Sequence, residues 1–586
     1  MPVKSRLSSK LRGLVLLLGC LVAGAAYAQS PGPEQPTGWT PKKPVVSKHD
    51  MVVAANPLAV EAGYTMLREG GNAIDAAVAV QMVLNLVEPQ SSGIGGGAFM
   101  LFHNGRNRML TAYDGRETAP AAAKPDRFLD ADGKPLHFFD AVIGGKSVGV
   151  PGTLRMLELA HRQYGRLPWA KLFDPAIALA ERGFAVSPRL HSLIEADTYL
   201  KTQDRARAYF FNADGSPLAV GQTLKNPAFA ATLKRIASGG ADAFYKGAIA
   251  ADIAETARAA TSQGDITEAD LAEYKAKVRE PICERYRAYK VCSAPLPAGG
   301  LTVLQILGIL QPFDMGALGA SSLMSVHVFS EAGRLAYADR DQYLTDPDFV
   351  PPPQGLTDPA YLRSRSAMIK LNASMGHAKA GVPESARKAA TADLGADGAF
   401  ELPSTSHLSI VDKYGNALAM TTSIEYAFGS QLMTPGGFLL NNELTDFSFE
   451  PVVDGRPVAN RVEPGKRPRS AMSPTIVYDA KGELFMVAGS VNGSQIVNDV
   501  SKTLVAVIDW GLDPQAAADL PNVGSRNGPT ELEKGTAAVA LEPKLRAMGH
   551  ETRIVEDTSG VHAIVRTRTG WIAGADPRRE GMAKGD

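Results

Sequence analysis

Thr405-Ser406-His407-Leu408-Ser409-Ile410-Val411-Asp412, the turn Lys413-Tyr414-Gly415-Asn416, and Ala417-Leu418-Ala419-Met420-Thr421-Thr422-Ser423 form the stretch on which the fold depends. Its apolar, β-branched runs flank a turn signal, which predicts strands over 407–411 and 417–422 joined as a hairpin. Pairing Asp412 with Ala417 sets Ser423 opposite or next to Thr405 and Ser406, to within about one residue of register. Upstream, from Gly376 to Phe400, the chain is rich in Ala, Gly and Lys without a lasting apolar period, which predicts a mobile segment. A Thr hydroxyl at such a junction is a poor nucleophile until a base stands beside it. Cutting the bond between Ser404 and Thr405 creates an α-amino group, of pKa about 7.7–8.0, on the residue that carries the hydroxyl. Thr405 then supplies nucleophile and base together, and no Ser-His-Asp arrangement is required. The cut can use the same hydroxyl, attacking the Ser404 carbonyl to give an ester that water opens. Taken alone, Ser404-Thr405-Ser406-His407 reads first as a polar entry into a strand.

Helix signals dominate the chain before this junction. Asn56-Pro57 caps a helix that stops at Gly70-Gly71, and Ile74–Val87 is apolar enough to be buried on most sides. Further helical patterns follow Pro151-Gly152, span Trp169 to Arg182, and run from Ser322 to Arg340. After the junction come strands at 437–440, 475–478, 484–488 and 562–566. Lys4, Arg6, Lys10 and Arg12, the apolar run Gly13–Gly24 and Ala26-Tyr27-Ala28 predict a signal peptide over 1–28, hence a periplasmic or secreted protein. That apolar run is too short for a membrane span. A lipoprotein signal ending at Cys20 is the alternative reading. Residues 29–44 read as a flexible leader.

The 586 residues carry 61 basic and 61 acidic side chains, which gives no electrostatic case for a nucleic-acid partner. Cys283 and Cys292 sit on two short predicted strands around a turn. In an oxidising compartment they form either a bridge or two facing thiols. There is no Cys/His cluster or His-Glu-x-x-His spacing to suggest zinc. Gly93-Ile94-Gly95-Gly96-Gly97-Ala98 satisfies a dinucleotide-binding pattern, but a helix rather than a strand precedes it, so close backbone packing explains its glycines better. Gly145-Lys146-Ser147-Val148-Gly149 has nucleophile-elbow spacing without a marked Asp and His downstream, and reads as a turn.

Thr405-Ser406-His407-Leu408-Ser409-Ile410-Val411-Asp412 with Gly415-Asn416-Ala417 resembles the γ-glutamyltransferase signature T-[TS]-H-x-S-[VI]-V-D-x-x-G-N-A. DMVVAANPLAVEAGYTMLREGGNAIDAAVAV, EPQSSGIGGGAFML, LLNNELTDFSF, GKRPRSAMSPTIV and GADPRREG look like other segments of that family, in the family's order, over about residues 45 to 580. The resemblance implies an α+β, four-layer αββα sandwich of the N-terminal-nucleophile hydrolase type. It implies a large subunit over 45–404 and a small one over 405–586, sharing one core as a heterodimer. Thr405 would be the nucleophile and Ser423 its hydrogen-bonding partner. Asn492 and Gly493 amides would hold the oxyanion. Arg116, assisted by Ser470, would grip the substrate α-carboxylate. Glu443, Asp446 and Glu425 would accept from the α-ammonium, although related enzymes often have Asn at the position of Glu425. The implied substrates are glutathione and related γ-glutamyl compounds, with water, amino acids or dipeptides as acceptors and no metal or organic cofactor. Two departures stand out: Ser470-Ala471 replaces two serines, and Asn492-Gly493 replaces Gly-Gly. The 446–469 segment is shorter than in relatives with a lid, which implies an open pocket. A cephalosporin or glutaryl acylase on the same scaffold and a non-catalytic binding protein are the alternative readings.

Overall fold

Helix formation in the first part begins at well-defined caps. Asn72 Oδ1 accepts hydrogen bonds from the Ile74 and Asp75 amides at 3.0 and 3.2 Å, and Asp75 Oδ2 accepts from the Asn72 amide at 2.9 Å. This reciprocal box satisfies donors that a helix start leaves open. The helix it opens, Ala73–Val87, is buried along its whole length, as its unbroken apolar run demands. Asp412 Oδ2 accepts from the Ala73 amide at 2.8 Å, which ties this helix to the hairpin turn 339 residues away. The computed structural model describes residues 37–387, 393–399, 402 and 404–586.

Two antiparallel seven-stranded sheets form the centre. One has the order Met582–Gly585, Met51–Ala54, Thr405–Val411, Ala417–Ser423, Gly97–His103, Leu110–Gly115, Lys277–Arg279. The other runs Val45–Ser47, Trp571–Ala575, His562–Arg566, Leu484–Gly489, Thr475–Tyr478, Tyr289–Ser293, Ile282–Tyr286. Met51, Leu101, Val411, Ala419, Val487 and Ile564 close the space between the sheets. Helices Pro57–Arg68 and Ala73–Val87 cover the outer face of the first sheet, and Gly300–Leu310 and Ile496–Ile508 that of the second. The result is the expected αββα sandwich. Each sheet contains strands from both sides of the Ser404–Thr405 bond, so a cut there leaves the two pieces sharing ladders and cores.

The register is Thr405↔Ser423 through Val411↔Ala417, one residue from the Asp412–Ala417 pairing and within its error. The first strand begins at Thr405, two residues before the expected start. Residues 437–440 are not a strand. The Thr434 amide donates to the Phe438 carbonyl and Gly437 takes φ +79°, so this apolar run closes a tight turn with one bridge, Met433 to Leu439. The signal peptide and the first part of the leader, 29–36, lie outside the described residues. The rest of the leader is fastened: the Thr40 amide donates to Pro577 O at 2.8 Å, and Lys42 Nζ donates to Asp576 O and Arg579 O, both at 2.7 Å. Of the expected mobile segment, 388–392 and 400 lie outside the described residues. Its described parts are anchored, with the Gly381 amide on Asp339 Oδ1 at 2.8 Å and Asp397 Oδ2 on Arg469 Nη2 at 3.1 Å. Cys283 and Cys292 face each other across their strand pair and are joined as a disulfide.

Candidate active site

Side chains alternate along Thr405–Val411. Leu408 and Ile410 point into the helix layer, so Thr405, His407, Ser409 and Val411 face the second sheet. Thr405 stands at the open end of that interlayer, buried and opposite Ser423. Thr405 Oγ1 lies 3.3 Å from Ser423 Oγ, and Ser423 Oγ donates to the Ser404 carbonyl at 3.0 Å. The Glu425 amide donates to Ser423 Oγ at 2.8 Å and fixes it. With that geometry the Thr405 hydroxyl donates to Ser423, which in turn donates to the carbonyl that Thr405 would attack. Ser404 Oγ donates to Gln90 O at 2.6 Å, and Arg579 Nη1 donates to the Thr405 carbonyl at 3.2 Å. Both sides of the Ser404–Thr405 bond are therefore held.

Glycines admit this close packing. A Cβ on Gly96 would sit 2.0 Å from the Ser423 carbonyl, and one on Gly95 2.0 Å from that of Leu439. The glycine run upstream is thus a packing element beside the site. Ser147 Oγ donates to the Val142 and Gly144 carbonyls at 2.6 and 3.0 Å, which identifies that motif as a turn. His407 bonds Thr421 Oγ1 at 2.8 Å and Ser409 Oγ at 3.0 Å, and burial pushes its pKa well below the usual histidine value. It is a neutral strand residue, and Thr405 is not among its partners.

The cleft in front of Thr405 is lined by Ser423, Glu425, Glu443, Asp446, Ser470, Ala471 and Gly493 together with Leu402. These residues come from several distant segments, and the fold brings them to one place. Leu402 is the chain's own upstream segment, and its amide donates to Glu425 Oε1 at 3.0 Å. The other Glu425 oxygen accepts from Asn442 Nδ2. Ser470 Oγ accepts from the Met472 amide at 3.2 Å. Ala471 packs into the core beneath the second sheet.

Arg116 does not line the cleft. It is fully buried behind Glu443 and Asp446, with Nη1 on Glu443 and Nη2 on Asp446. Its Nε donates to Pro468 O at 3.1 Å and Nη2 also to Arg469 O at 2.8 Å. The acids expected to hold an ammonium are thus paired with the guanidinium expected to hold a carboxylate. A substrate reaching Arg116 must exchange with one of them. Glu117, which the sequence reading passed over, lies 3.8 Å from Arg116 Nη1. Burial pushes its carboxyl up to about 8, against the pull of Arg116.

Asn492 and Gly493 form the turn between strand Leu484–Gly489 and helix Ile496–Ile508, with φ of +133° and +54°. Asn492 Nδ2 donates to Asp557 Oδ1 at 2.7 Å. Neither Asp557 nor Leu402 carried a sequence signal, and Gln90 lay within the quoted EPQSSGIGGGAFML segment without being singled out. Arg579 lay within the quoted GADPRREG segment without being singled out. Away from the cleft, His327, Glu331 and His550 have ligand-like spacing. Their donor atoms are engaged: His327 Nδ1 meets His550 Nε2 at 2.7 Å, and Glu331 accepts from Arg334 Nε at 2.9 Å and the Met375 amide at 2.7 Å.

Residues 59–586 match the family model described as Gamma-glutamyltranspeptidase. The chain is 38% identical over 581 residues to the glutathione hydrolase proenzyme of Bacillus subtilis strain 168, covering 97% of each. It is 38% identical over 583 residues to that of Escherichia coli K12, covering 96% of this chain and 97% of the relative. Among solved structures, the cephalosporin acylase from Bacillus halodurans superposes with a TM-score of 0.79 at 27% identity, covering 94% of this chain and 99% of the other. A strand-initial threonine facing its own upstream carbonyl, in an αββα sandwich matched end to end by these proenzymes, leads to one assignment: the chain belongs to the γ-glutamyltranspeptidase family of N-terminal-nucleophile hydrolases.

Proposed function

We propose that the chain cuts itself between Ser404 and Thr405 and then transfers γ-glutamyl groups from glutathione and related amides to water, amino acids or dipeptides. The observation that carries this reading is the hydrogen-bonded line from Thr405 Oγ1 through Ser423 Oγ to the Ser404 carbonyl, at 3.3 and 3.0 Å. In the cut, Thr405 Oγ1 bonds to the Ser404 carbonyl carbon while Ser423 donates to the developing oxyanion. The Thr405 hydroxyl proton passes by way of Ser423 to the amide nitrogen, and the carbon–nitrogen bond breaks, leaving an ester and a free α-amino group on Thr405. Water opens the ester and releases the Ser404 carboxylate. In turnover, the α-amino group takes the Thr405 hydroxyl proton as the oxygen attacks the substrate γ-carbonyl. Amides at Asn492 and Gly493 donate to the oxyanion, the amine leaves protonated, and an acceptor resolves the γ-glutamyl ester. Leu402, seated in the cleft, has to move aside after the cut.

Glu443, Asp446 and Glu425 favour a substrate head bearing an ammonium group. The chain's identity with glutathione hydrolase proenzymes supports the same reading. Ala471 and the likeness to a cephalosporin acylase favour a second reading, an acylase of glutaryl type. The signal-like N-terminus and the Cys283–Cys292 disulfide support export to the periplasm or beyond. Among the described residues, no helix is long and apolar enough to cross a membrane.

Comparing γ-glutamyl-p-nitroanilide with glutaryl-p-nitroanilide tests the reading, because they differ only in the α-ammonium. Faster release from the γ-glutamyl compound, abolished in Thr405→Ala, is expected. Preference for the glutaryl compound would establish the acylase. Release from neither compound would favour a binding protein.

A further inference from the structure

The turn that would receive the oxyanion has an unusual first residue. Asn492 adopts φ +133° and ψ +41°, well beyond the left-handed region near φ +57° that asparagine tolerates. Glycine populates such a conformation freely, whereas a residue with a Cβ holds it only where its surroundings over-determine it. One contact visibly does so. Asn492 is almost fully buried, and its Nδ2 donates to Asp557 Oδ1 at 2.7 Å, across 65 residues of chain.

Asp557 is itself held firmly. The same oxygen accepts from the Ser559 amide at 3.1 Å and from Asn522 Nδ2 at 3.2 Å. Asn522 is braced in turn by Ser559 Oγ, and its amide donates to Glu533 Oε2, both at 2.7 Å. The acceptor therefore sits on a rigid frame outside the cleft, while the residue it holds begins the turn whose Gly493 lines the cleft. Moving the Asn492 side chain rotates the peptide it shares with Gly493, and so the direction of the Gly493 N–H.

We propose that Asp557 is a positioning residue for the oxyanion-binding turn: by holding the Asn492 side chain it maintains a backbone conformation that glycine would keep unaided. This rests on the reading that the Asn492 and Gly493 amides bind the oxyanion.

The test measures kcat and KM for γ-glutamyl-p-nitroanilide on processed wild type, Asp557→Ala, Asp557→Asn, Asn492→Gly and the double variant Asn492→Gly/Asp557→Ala. Asp557→Ala is expected to lower kcat about tenfold with KM within about twofold, since a misaimed donor weakens transition-state binding above all. Asp557→Asn keeps an acceptor oxygen and stays within about threefold. Whatever the activity of Asn492→Gly, adding Asp557→Ala to it changes kcat less than about twofold. An equal loss in both backgrounds would overturn the proposal, because Asp557 would then act through Asn522 or Ser559. Wild-type kcat in Asp557→Ala would overturn it too. If Asp557→Ala fails to fold and cut itself, recovery in the Asn492→Gly background supports the tether and continued failure refutes it. Processed wild type without p-nitroaniline release would refute the functional reading instead. The tether is then read from melting temperatures, where Asp557→Ala must destabilise wild type more than Asn492→Gly.

Discussion

Replacing Ser423 with alanine should slow self-cleavage far more than it disturbs the fold. The Ser423 hydroxyl accepts from the Glu425 amide at 2.8 Å and donates to the Ser404 carbonyl at 3.0 Å. That carbonyl becomes an oxyanion when Thr405 attacks, so the donation strengthens in the transition state. Removing one donor aimed at a developing oxyanion costs about 10²–10³ in rate, roughly 2.7–4 kcal/mol. The folded state loses three neutral hydrogen bonds, to Thr405, Ser404 and Glu425, and leaves the Glu425 amide short of an acceptor, about 1–3 kcal/mol. Ser423 lies in a strand paired on both sides, so that loss should lower the melting temperature without unfolding the protein. The assay is a time course of full-length chain on a denaturing gel, with intact mass to place the cut. Ser423→Ala should cut about a hundredfold or more slowly than wild type, and Ser423→Thr, which keeps a hydroxyl, within about tenfold. Cleavage of Ser423→Ala within about threefold of wild type would refute the role given to this hydroxyl.

Further outcomes are expected at three sites. Arg116→Ala leaves Glu443 and Asp446 buried without their cation and should cost about 3–5 kcal/mol of stability, read by denaturant unfolding. Arg116→Lys keeps the charge but not the planar fork, and should raise KM for γ-glutamyl substrates while remaining folded. Burial raises the Glu117 carboxyl from 4.5 to about 8, so the folded chain keeps a proton that the unfolded chain releases. Glu117 therefore costs nothing at low pH and an increasing amount from about pH 4.5 to 8, then a constant amount above. Glu117→Gln should flatten that fall in melting temperature, and parallel curves for the two proteins would contradict the assignment. The Cys283–Cys292 bridge closes a short loop, which the chain-entropy model values at about 2–3 kcal/mol. Cys283→Ser/Cys292→Ser should melt at lower temperature yet still cut itself, as a denaturing gel will show.

The hairpin was legible because two apolar, β-branched runs flank the turn Lys413-Tyr414-Gly415-Asn416 and favour the same local structure. Its register followed from the turn alone and came within one residue. The αββα sandwich was legible through family resemblance, since no local pattern shows that strands 51–54 and 582–585 are neighbours. Residues 437–440 misled because an apolar run predicts burial, not extension. They are buried, but around the left-handed Gly437, whose carbonyl accepts from Asn226 Nδ2 at 2.8 Å. Position by position, Thr405, Ser423, Glu425, Glu443, Asp446, Ser470 and Gly493 reach one cleft. What no motif expressed is who pairs with whom across 65 to 330 residues of chain: Arg116 with Glu443 and Asp446, Arg579 with the Thr405 carbonyl, Asp557 with Asn492. Such pairings depend on how the sheets stack, and a single sequence does not record that.

Everything rests on Thr405 being exposed as an N-terminal nucleophile by its own attack. Intact mass of freshly purified wild type and Thr405→Ala under denaturing conditions tests this directly. Wild type should give two fragments, one of them spanning Thr405–Asp586, and Thr405→Ala a single uncut chain. A wild type that stays in one piece, or a Thr405→Ala chain cut at the same bond, would contradict it.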